Sequence, residues 1–287
     1  MDTVSSTLAR ATRLMKDAGL ADSPSLDARL LLCAVMDVSQ EQLLARWHTE
    51  VPEEASQRFA AMLSARLAAT PMAYILGWRE FYGRRFHVDE RVLIPRPDTE
   101  TLIEAALAWI QEHSLEAPDI ADICTGSGAV GITLALELPS SRVALTDISA
   151  SALEVATENA MRLGAGNIRL YQGDVTEPVA SESFDIVVSN PPYLTPHWYS
   201  HVEAQVLKEP RLALVGGDDG LTIIRRLVVG ARSVLAPEGA LFLECDWRQC
   251  DEVARIMERC GFAQTWIYND LAGRPRVVRG NGICMNN

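Results

Sequence analysis

An apolar run at 184–189, Phe-Asp-Ile-Val-Val-Ser, ends in Asn190-Pro191-Pro192-Tyr193. Two consecutive prolines stiffen the chain and remove two backbone donors. The Asn190 side-chain oxygen and the Pro191 carbonyl can then face one point as bare acceptors. Such a pair suits a substrate NH2 group, which has two hydrogens to donate. Tyr193 adds an aromatic face for a planar group. A nitrogen held this way is conjugated and a weak nucleophile. Acceptors on its hydrogens enrich it, and in-line placement supplies much of the remaining acceleration. A Pro-Pro turn also occurs as a plain loop stiffener, so the neighbouring segments decide its meaning.

Three such segments stand out. Asp122-Ile123-Cys124-Thr125-Gly126-Ser127-Gly128 is a glycine-rich turn that lets backbone approach a flat or anionic ligand. With Gly131 it satisfies G-x-G-x-x-G, and Asp147 follows about 20 residues on, placed to accept from both ribose hydroxyls. These features do not separate NAD from another adenosine cofactor, and Asp147 also suits a plain helix cap. Gly173-Asp174-Val175 offers a carboxylate for an adenine amine, or a simple turn. A hydride-transfer enzyme has no use for the 190–193 loop, which removes the NAD reading.

These groups need elements to hold them. Residues 1–70 carry apolar positions at helical spacing (Leu8, Ala11, Leu14, Met15 and Ala18, then Leu26, Leu30, Leu31, Ala34 and Val35). Gly19 fits a helix end, Ser23 before Pro24 a helix start, and further helices are predicted near Ser39 and Pro52. A β-hairpin is predicted over 78–88 with its turn at Gly83, and a helix over 101–110. Beyond it, strands at 119–123, 142–146, 168–172, 184–189, 240–244, 264–268 and 276–279 alternate with helices at 128–138, 149–163, 219–235 and 247–260. That alternation means βαβ units and a parallel sheet covered on both faces. Ligands in such sheets bind beyond the C-terminal strand ends, where all four segments fall. The expected division is a helical bundle over 1–74, a hairpin linker over 75–95 and an α/β domain over 96–287.

Composition narrows the function. The 287 residues carry a net charge of −12, with only two lysines, Lys16 and Lys208. Residues 91–287 hold sixteen basic and twenty-six acidic groups, so the excess sits in the α/β part. Such a chain is poorly suited to gripping a phosphate backbone, and suits a basic protein partner through long-range steering. No apolar run approaches the roughly 20 residues of a membrane span, and Met1 to Arg10 lack a secretory pattern. The cysteines (33, 124, 245, 250, 260 and 284) have no CxxC spacing and read as reduced thiols in a cytosol. No metal site is expected. His197 and His201 have i, i+4 spacing but no glutamate directly after the first, and Pro196 and Trp198-Tyr199 suggest a loop over the site. Arg84-Arg85 reads as a solvated hairpin edge, and Trp247 and Trp266 as core or strand packing.

Taken together, Asp122 with Gly126 and Gly128, Asp147, Asp174 and Asn190-Pro191-Pro192-Tyr193 resemble the signature of class I S-adenosylmethionine-dependent amino-methyltransferases. The Asn-Pro-Pro-Tyr motif is shared by adenine-N6 enzymes acting on nucleic acid and glutamine-N5 enzymes acting on protein. Three stretches narrow the resemblance: Leu93-Ile94-Pro95-Arg96-Pro97-Asp98-Thr99-Glu100, the segment from Glu209-Pro210-Arg211 through Gly216-Gly217 to Leu221, and Asp270-Leu271-Ala272-Gly273-Arg274-Pro275-Arg276-Val277. All three resemble the HemK/PrmC family of release factor glutamine N5-methyltransferases, over essentially the whole chain.

The resemblance implies a helical bundle and a hairpin followed by a Rossmann-like, seven-stranded class I methyltransferase domain with its last strand antiparallel. It implies S-adenosyl-L-methionine as cofactor. The substrate would be the glutamine of the Gly-Gly-Gln loop of class 1 peptide chain release factors, with no direct nucleic-acid or membrane partner. By position, Cys124, Thr125, Gly126, Ser127 and Gly128 would wrap the methionine end of the cofactor. Asp147 would hold the ribose, and Asp174 and Val175 flank the adenine. Asn190, Pro191, Pro192 and Tyr193 would hold the amide, with Asn190 also beside the cofactor and Phe81 walling the pocket. Thr99 and Glu100 would lie near the cofactor. Two departures are visible. Cys124 stands where the family usually has glycine, which implies an extended rather than a positive-φ backbone there; a related group acting on a ribosomal-protein glutamine often has cysteine at this place. Leu243-Glu244-Cys245-Asp246 stands where Leu-Glu-Ile-Gly is more usual.

Overall fold

A computed structural model describes residues 2–19 and 23–283; Cys284 lies outside the described residues. Residues up to Trp78, with Glu203–Lys208, form one compact unit, and Arg79–Val202 with Glu209 onward form a second.

The first unit is helical: α1 (Val4–Ala18), α2 (Pro24–Met36), α3 (Gln40–Ala45), α4 (Glu53–Leu67) and α5 (Met72–Leu76). The expected boundaries hold for chemical reasons. Thr3 accepts from the Ser6 amide at the start of α1, and Gly19 ends that helix at φ 64°. Ser39 and Gln42 form a reciprocal capping box at the start of α3. Leu8, Met15, Leu31, Leu32, Leu43 and Phe59 share one apolar core. Leu14 and Leu26, expected on the buried stripes, are instead 42% and 36% exposed.

The segment 203–208, expected in the α/β domain, belongs here for a definable reason. Arg66 is buried, and a buried cation must be bonded. Its guanidinium donates to Asp27 at 2.8 Å, to the Thr70 carbonyl at 3.3 Å and to Gln205 at 3.2 Å.

The hairpin β1 (Trp78–Phe81) and β2 (Arg84–His87) follows, all of it but Trp78 in the second unit. Its turn residues Tyr82 and Gly83 both have positive φ, at 49° and 68°, as a two-residue type I′ turn requires. The hairpin was expected as a linker. The structure instead packs Phe81 and Phe86 into the α/β core, rings edge to face with centroids 6.0 Å apart. It is joined there by Asn159, whose Oδ1 accepts from the His87 amide at 2.6 Å. The Asn159 Nδ2 donates to the His87 carbonyl at 3.0 Å and to the Ser127 carbonyl at 2.9 Å.

The chain continues through α6 (Glu100–Glu112), β3 (Asp119–Ile123), α7 (Ala129–Glu137), β4 (Arg142–Asp147), α8 (Ala150–Leu163), β5 (Ile168–Gln172) and β6 (Phe184–Ser189). It ends with α9 (Pro196–Tyr199), α10 (Thr222–Val234), β7 (Leu235–Glu244), α11 (Cys250–Arg259), β8 (Phe262–Asn269) and β9 (Pro275–Ile283). The strands form one seven-stranded sheet in the order β5-β4-β3-β6-β7-β9-β8, and β9 is antiparallel to both its neighbours. One face packs on α6, α7 and α8 around Ile103, Ile120, Leu145 and Phe242, the other on α10 and α11 around Ile123, Val187, Leu227 and Met257. β7 begins five residues earlier than its pattern suggested, because Leu235 pairs with Phe184 before a register irregularity. Trp247 and Trp266, expected to be packed, are 47% and 60% exposed.

The strand order places a reversal between β3 and β6, where the chain, having wound outward to β5, returns to the other side of β3. At such a point two connections leave in opposite directions and open a crevice.

Asn159→Ala should destabilise the second unit by about 2–3 kcal/mol, since it removes one buried and two part-buried bonds to backbone groups. Urea unfolding checks this; a loss below about 0.5 kcal/mol would mean the hairpin is held by its phenylalanines alone.

Candidate functional site

The register Ile123↔Ser189 between β3 and β6 makes Cys124 and Asn190 neighbours on adjacent strand ends. The Ser189 hydroxyl donates to the Ile123 carbonyl and locks that register at its last pair. Two chemically different loops therefore leave the sheet side by side.

The first is the glycine turn. The Thr125 amide donates to the Thr146 carbonyl at 2.9 Å, and the Gly126 amide donates to Asp147 Oδ2 at 2.9 Å. Asp147 Oδ1 accepts from the Ser149 amide at 2.9 Å. These bonds fold the turn back toward β4 and require left-handed backbone: Cys124, Gly126 and Gly128 have φ of 62°, 55° and 79°. The expectation of an extended Cys124 is thereby corrected. Its β-carbon sits in a conformation that costs about 1 kcal/mol or more, and the surrounding bonds impose it. Burial and the nearby Asp147 and Asp122 push the Cys124 thiol up, so it is a neutral wall group. Val175, a β-branched residue at φ 51°, is a second strained position on the same cleft.

Beneath the turn lies Asp122, which the motif contained but which was given no role. Its Oδ2 accepts from the Thr125 hydroxyl at 2.6 Å and from the Gly131 amide at 2.8 Å, tying the turn to the start of α7. Burial raises its carboxyl to about 7, against the pull of those two bonds. Burial also raises Asp147, opposed by the Ser149 and Gly126 amides.

The second loop is Asn190 to Tyr193. The Asn190 Nδ2 donates to Thr99 Oγ1 at 3.2 Å. Pro192 and Tyr193 are held from below by the 214–220 segment. The Leu194 amide donates to the Leu214 carbonyl at 2.8 Å, and the Gly216 amide donates back to the Leu194 carbonyl at 3.0 Å. A β-carbon on Gly216 would lie 2.3 Å from the Pro192 oxygen, and one on Gly220 2.3 Å from the Tyr193 oxygen. Only glycine permits that approach. Gln249 also donates to the Tyr193 carbonyl, at 3.0 Å.

Between the loops runs one cleft. Cys124, Thr125, Gly126, Ser127, Asp147, Asp174, Val175, Asn190 and Pro192 line it, as do Thr99 and Asp122. Pro191 is buried behind the wall, and Tyr193 packs against the α10–α11 side of the core. Gly128 caps α7 and is off the wall. Phe81 is 1% exposed within the core and does not line the cleft, so its expected place as a pocket wall is not what the structure shows. Glu100 faces the hairpin, accepting from the Tyr82 amide at 2.9 Å. Asp174 has one oxygen on Arg226 at 2.6 Å, leaving the other as the available acceptor. Sequence reasoning missed the apolar contributors Ile148, Leu212, Val215 and Ile223. The 49% exposure of Ile148 directly after Asp147 is the signal that sequence alone does not carry.

His197 and His201, rings 4.6 Å apart, sit on and just after α9. No group of three metal-ligating side chains occurs among the described residues.

The PrmC N-terminal domain family matches residues 6–77, and the methyltransferase small domain family matches residues 102–259. A release factor glutamine methyltransferase of Neisseria gonorrhoeae is 43% identical over 91% of this chain and 95% of its own length. One from Bordetella pertussis is 41% identical over 93% of this chain and 97% of its own. The chain belongs to the release factor glutamine methyltransferase family. It is a methyltransferase. Among solved structures, a 16S rRNA N2 G1207 methyltransferase of T. thermophilus, in complex with AdoMet and guanosine, superimposes with a TM-score of 0.52 at 17% identity. That match covers 71% of this chain and 49% of the other, and it shows the shared fold.

The stretches that carry the family resemblance have physical tasks here. Glu209, almost fully buried, accepts from the Ile94 amide at 3.0 Å and pairs with Arg96, joining the 93–97 segment to the 209–215 segment. Pro95 on one and Pro210 and Leu212 on the other then line the same cleft. Asp270 accepts from the Ala272 and Arg274 amides at 3.0 Å each and pairs with Arg276 at 3.1 Å, which also reaches Asp98 at 3.1 Å. That chain of contacts ties the β8–β9 turn to the 93–99 segment.

Asp122 gives a pH signature. Its folded-state value lies above the ordinary carboxyl value, so the folded protein binds that proton more tightly than the unfolded chain. Its contribution therefore opposes folding increasingly as pH rises from about 4 to about 7. Asp122→Asn keeps both accepted bonds and removes the titration. Thermal unfolding between about pH 4 and 8 should show a shallower decline on the alkaline side for the variant than for the wild type. Parallel curves would mean that Asp122 does not hold its proton into this range.

Proposed function

We propose that this chain transfers a methyl group from S-adenosyl-L-methionine to the side-chain amide nitrogen of the glutamine in the Gly-Gly-Gln loop of class 1 peptide chain release factors. The observation that carries this reading is the Ile123↔Ser189 register. It sets the glycine turn, with Asp147 bonded to it, beside the proline-stiffened Asn190 loop.

The cleft suits that cofactor on its own chemistry. Asp147 is a half-buried carboxylate at a strand end, held by backbone amides, and can accept from a ribose diol. Ile148, Val175 and Ile223 supply apolar surface for a flat base, and the free Asp174 oxygen an acceptor for its amine. Arg91 and Arg226, the cations on the wall, are both already paired with carboxylates. The remaining negative charge of Asp147 therefore suits a cationic ligand. When bound, the cofactor supplies an electrophilic methyl group on a sulfonium sulfur.

The protein's own residues do the rest. Asn190 Oδ1 and the Pro191 carbonyl accept the two N–H bonds of the substrate amide and turn its nitrogen toward the cleft. Accepting those hydrogens favours charge that builds on nitrogen during transfer. The prolines and the close approach of Gly216 keep the acceptors from relaxing, so the orientation is set before the substrate arrives. Neither a metal nor a covalent enzyme intermediate is required.

The names of the curated relatives support the release factor as substrate. The overall acidity suits a protein partner over a nucleic-acid backbone and weighs against adenine-N6 transfer. Cysteine at 124 is tolerated in the strained turn and held neutral there, so it calls for no change of substrate. Among the described residues, no helix is long and apolar enough to cross a membrane. A release factor substrate places the reaction in the cytoplasm. Among the described residues none of the first unit lines the cleft; in this reading its role is recognition of the intact factor.

Incubating the protein with cofactor and a release factor, then mapping the added mass by fragmentation, tests the reading directly. A methyl group on any residue but that glutamine, or none, would reject it. Asn190→Ala should lower kcat by about a hundredfold or more with cofactor affinity nearly unchanged. Asp147→Ala should chiefly weaken cofactor binding, because a ribose contact is equal in ground and transition states. Tritium transfer and equilibrium dialysis separate the two; the reverse pattern would exchange their roles.

A further inference from the structure

Asn190 can serve as an acceptor only if its carboxamide is turned the right way. Oxygen and nitrogen of that group are nearly the same size, so sterics do not choose between its two orientations. Hydrogen bonding must. The register Ser189↔Leu243 between β6 and β7 places Glu244 beside Asn190, one step past the last paired residues. Thr99, on the 93–99 segment, lies against both: its Oγ1 accepts from Asn190 Nδ2 at 3.2 Å, and its hydroxyl faces the Glu244 carboxylate closely enough to favour the charged form.

We propose that Thr99 and Glu244 are positioning residues that fix the Asn190 carboxamide with its nitrogen bound inward and its oxygen left for the substrate amide. The logic is one of proton counting. A threonine hydroxyl has one hydrogen. While Glu244 is a carboxylate it can only accept, so it takes that hydrogen, and Thr99 Oγ1 can only accept from Asn190. The Asn190 NH2 group is then committed to Thr99. If Glu244 is protonated, or replaced by an amide, the constraint is lost. The Thr99 hydrogen becomes free to turn to Asn190 Oδ1, and the flipped carboxamide is stabilised instead.

Glu244 is a costly group for the fold to keep. It is 1% exposed, and its Oε2 has no hydrogen-bond partner. Packing alone would favour an apolar residue there. Burial raises its carboxyl to about 7, opposed by Thr99 and by Arg276 and Arg96, while Asp98 raises it further. Tyr193 and Cys245 also face it, and both are held neutral, Tyr193 pushed up by burial and by the carboxylate, Cys245 by its bond with Cys250 and by burial. The working state is the carboxylate, so turnover should rise with pH through this group's titration. Asp122 titrates in the same range but acts on the turn around the cofactor, so saturating cofactor separates the two.

The inference rests on Asn190 acting as the amide acceptor, and two readouts keep it separable from that reading. The first needs no substrate: the Asn190 side-chain NH2 signals in NMR spectra of the full-length protein, with and without S-adenosylhomocysteine. In the wild type they should form one resolved, exchange-protected pair that shifts with a midpoint near pH 7. In Thr99→Val and Glu244→Gln the pair should lose protection and broaden. Signals alike in all three proteins would overturn the proposal.

The second readout is turnover at saturating cofactor on a release factor. Thr99→Val and Glu244→Gln should each lower kcat about tenfold, less than loss of Asn190 itself, with the cofactor KM little changed. Thr99→Ser, which keeps the hydroxyl, should restore most of the loss. The acid limb of the wild-type kcat profile should vanish in Glu244→Gln. A serine variant as poor as the valine one, or a limb that persists without Glu244, would also overturn it. If the wild type methylates no release factor, the functional reading fails and the NMR result alone decides the inference.

Discussion

A single lateral pairing underlies the site: β3 against β6, joined up to Ile123 and Ser189 and separating there. Because parallel neighbours run the same way, their C-terminal ends finish at one level, and the residues that follow must diverge. Cys124 turns back toward β4, and Asn190 runs on into its prolines. A one-residue slip would exchange the faces of every side chain on β6 and carry Asn190 off the cleft. The core prevents this, since Ile186 and Val188 are committed to one face and Val187 to the other.

Around that pairing the protein carries unfavourable local states. Cys124 and Val175 sit in left-handed backbone, Asp122 and Glu244 are buried carboxyls, and Gly216 presses against the Pro192 carbonyl. Around Cys124, Asp122 and Gly216 the neighbouring residues are bonded to more than one element, which is why the strain there persists rather than relaxing. Asp122 spends its bonds on the glycine turn, and Glu244 faces Thr99 and, through it, Asn190. The two carboxyls thus lie on opposite sides of the cleft, one under the glycine turn and the other beside the Asn190 loop.

The segments outside the sheet act as braces. Glu209 draws the 93–97 and 209–215 segments together, and Asp270 with Arg276 anchors the 98–99 region from the far strands. Asn159 binds the hairpin to the glycine turn. Residues nearly two hundred positions apart therefore set the position of Thr99, and through it the orientation of one carboxamide. The hairpin, placed between two units along the chain, belongs energetically to the second because two phenylalanines are buried there.

The sequence by itself determined the sheet and the two loops. Short β-branched runs alternating with helical stripes leave few topologies, and glycines or prolines at strand ends need particular backbone, so their chemistry is local. It also determined the helix ends at Gly19 and Ser39, because a cap is a bond between near neighbours. Tertiary structure decided what depends on distant partners. The sign of φ at Cys124 follows from bonds to Thr146 and Asp147, and the burial of Phe81 from the α/β core it joins. The exposure of Trp266 and the placement of 203–208 beside Arg66 likewise need partners that a local pattern does not name. Glu244 is the clearest case. As a letter at a strand end it is one carboxylate among many, and it acquires its task only when the sheet sets it one step past Leu243, beside Asn190.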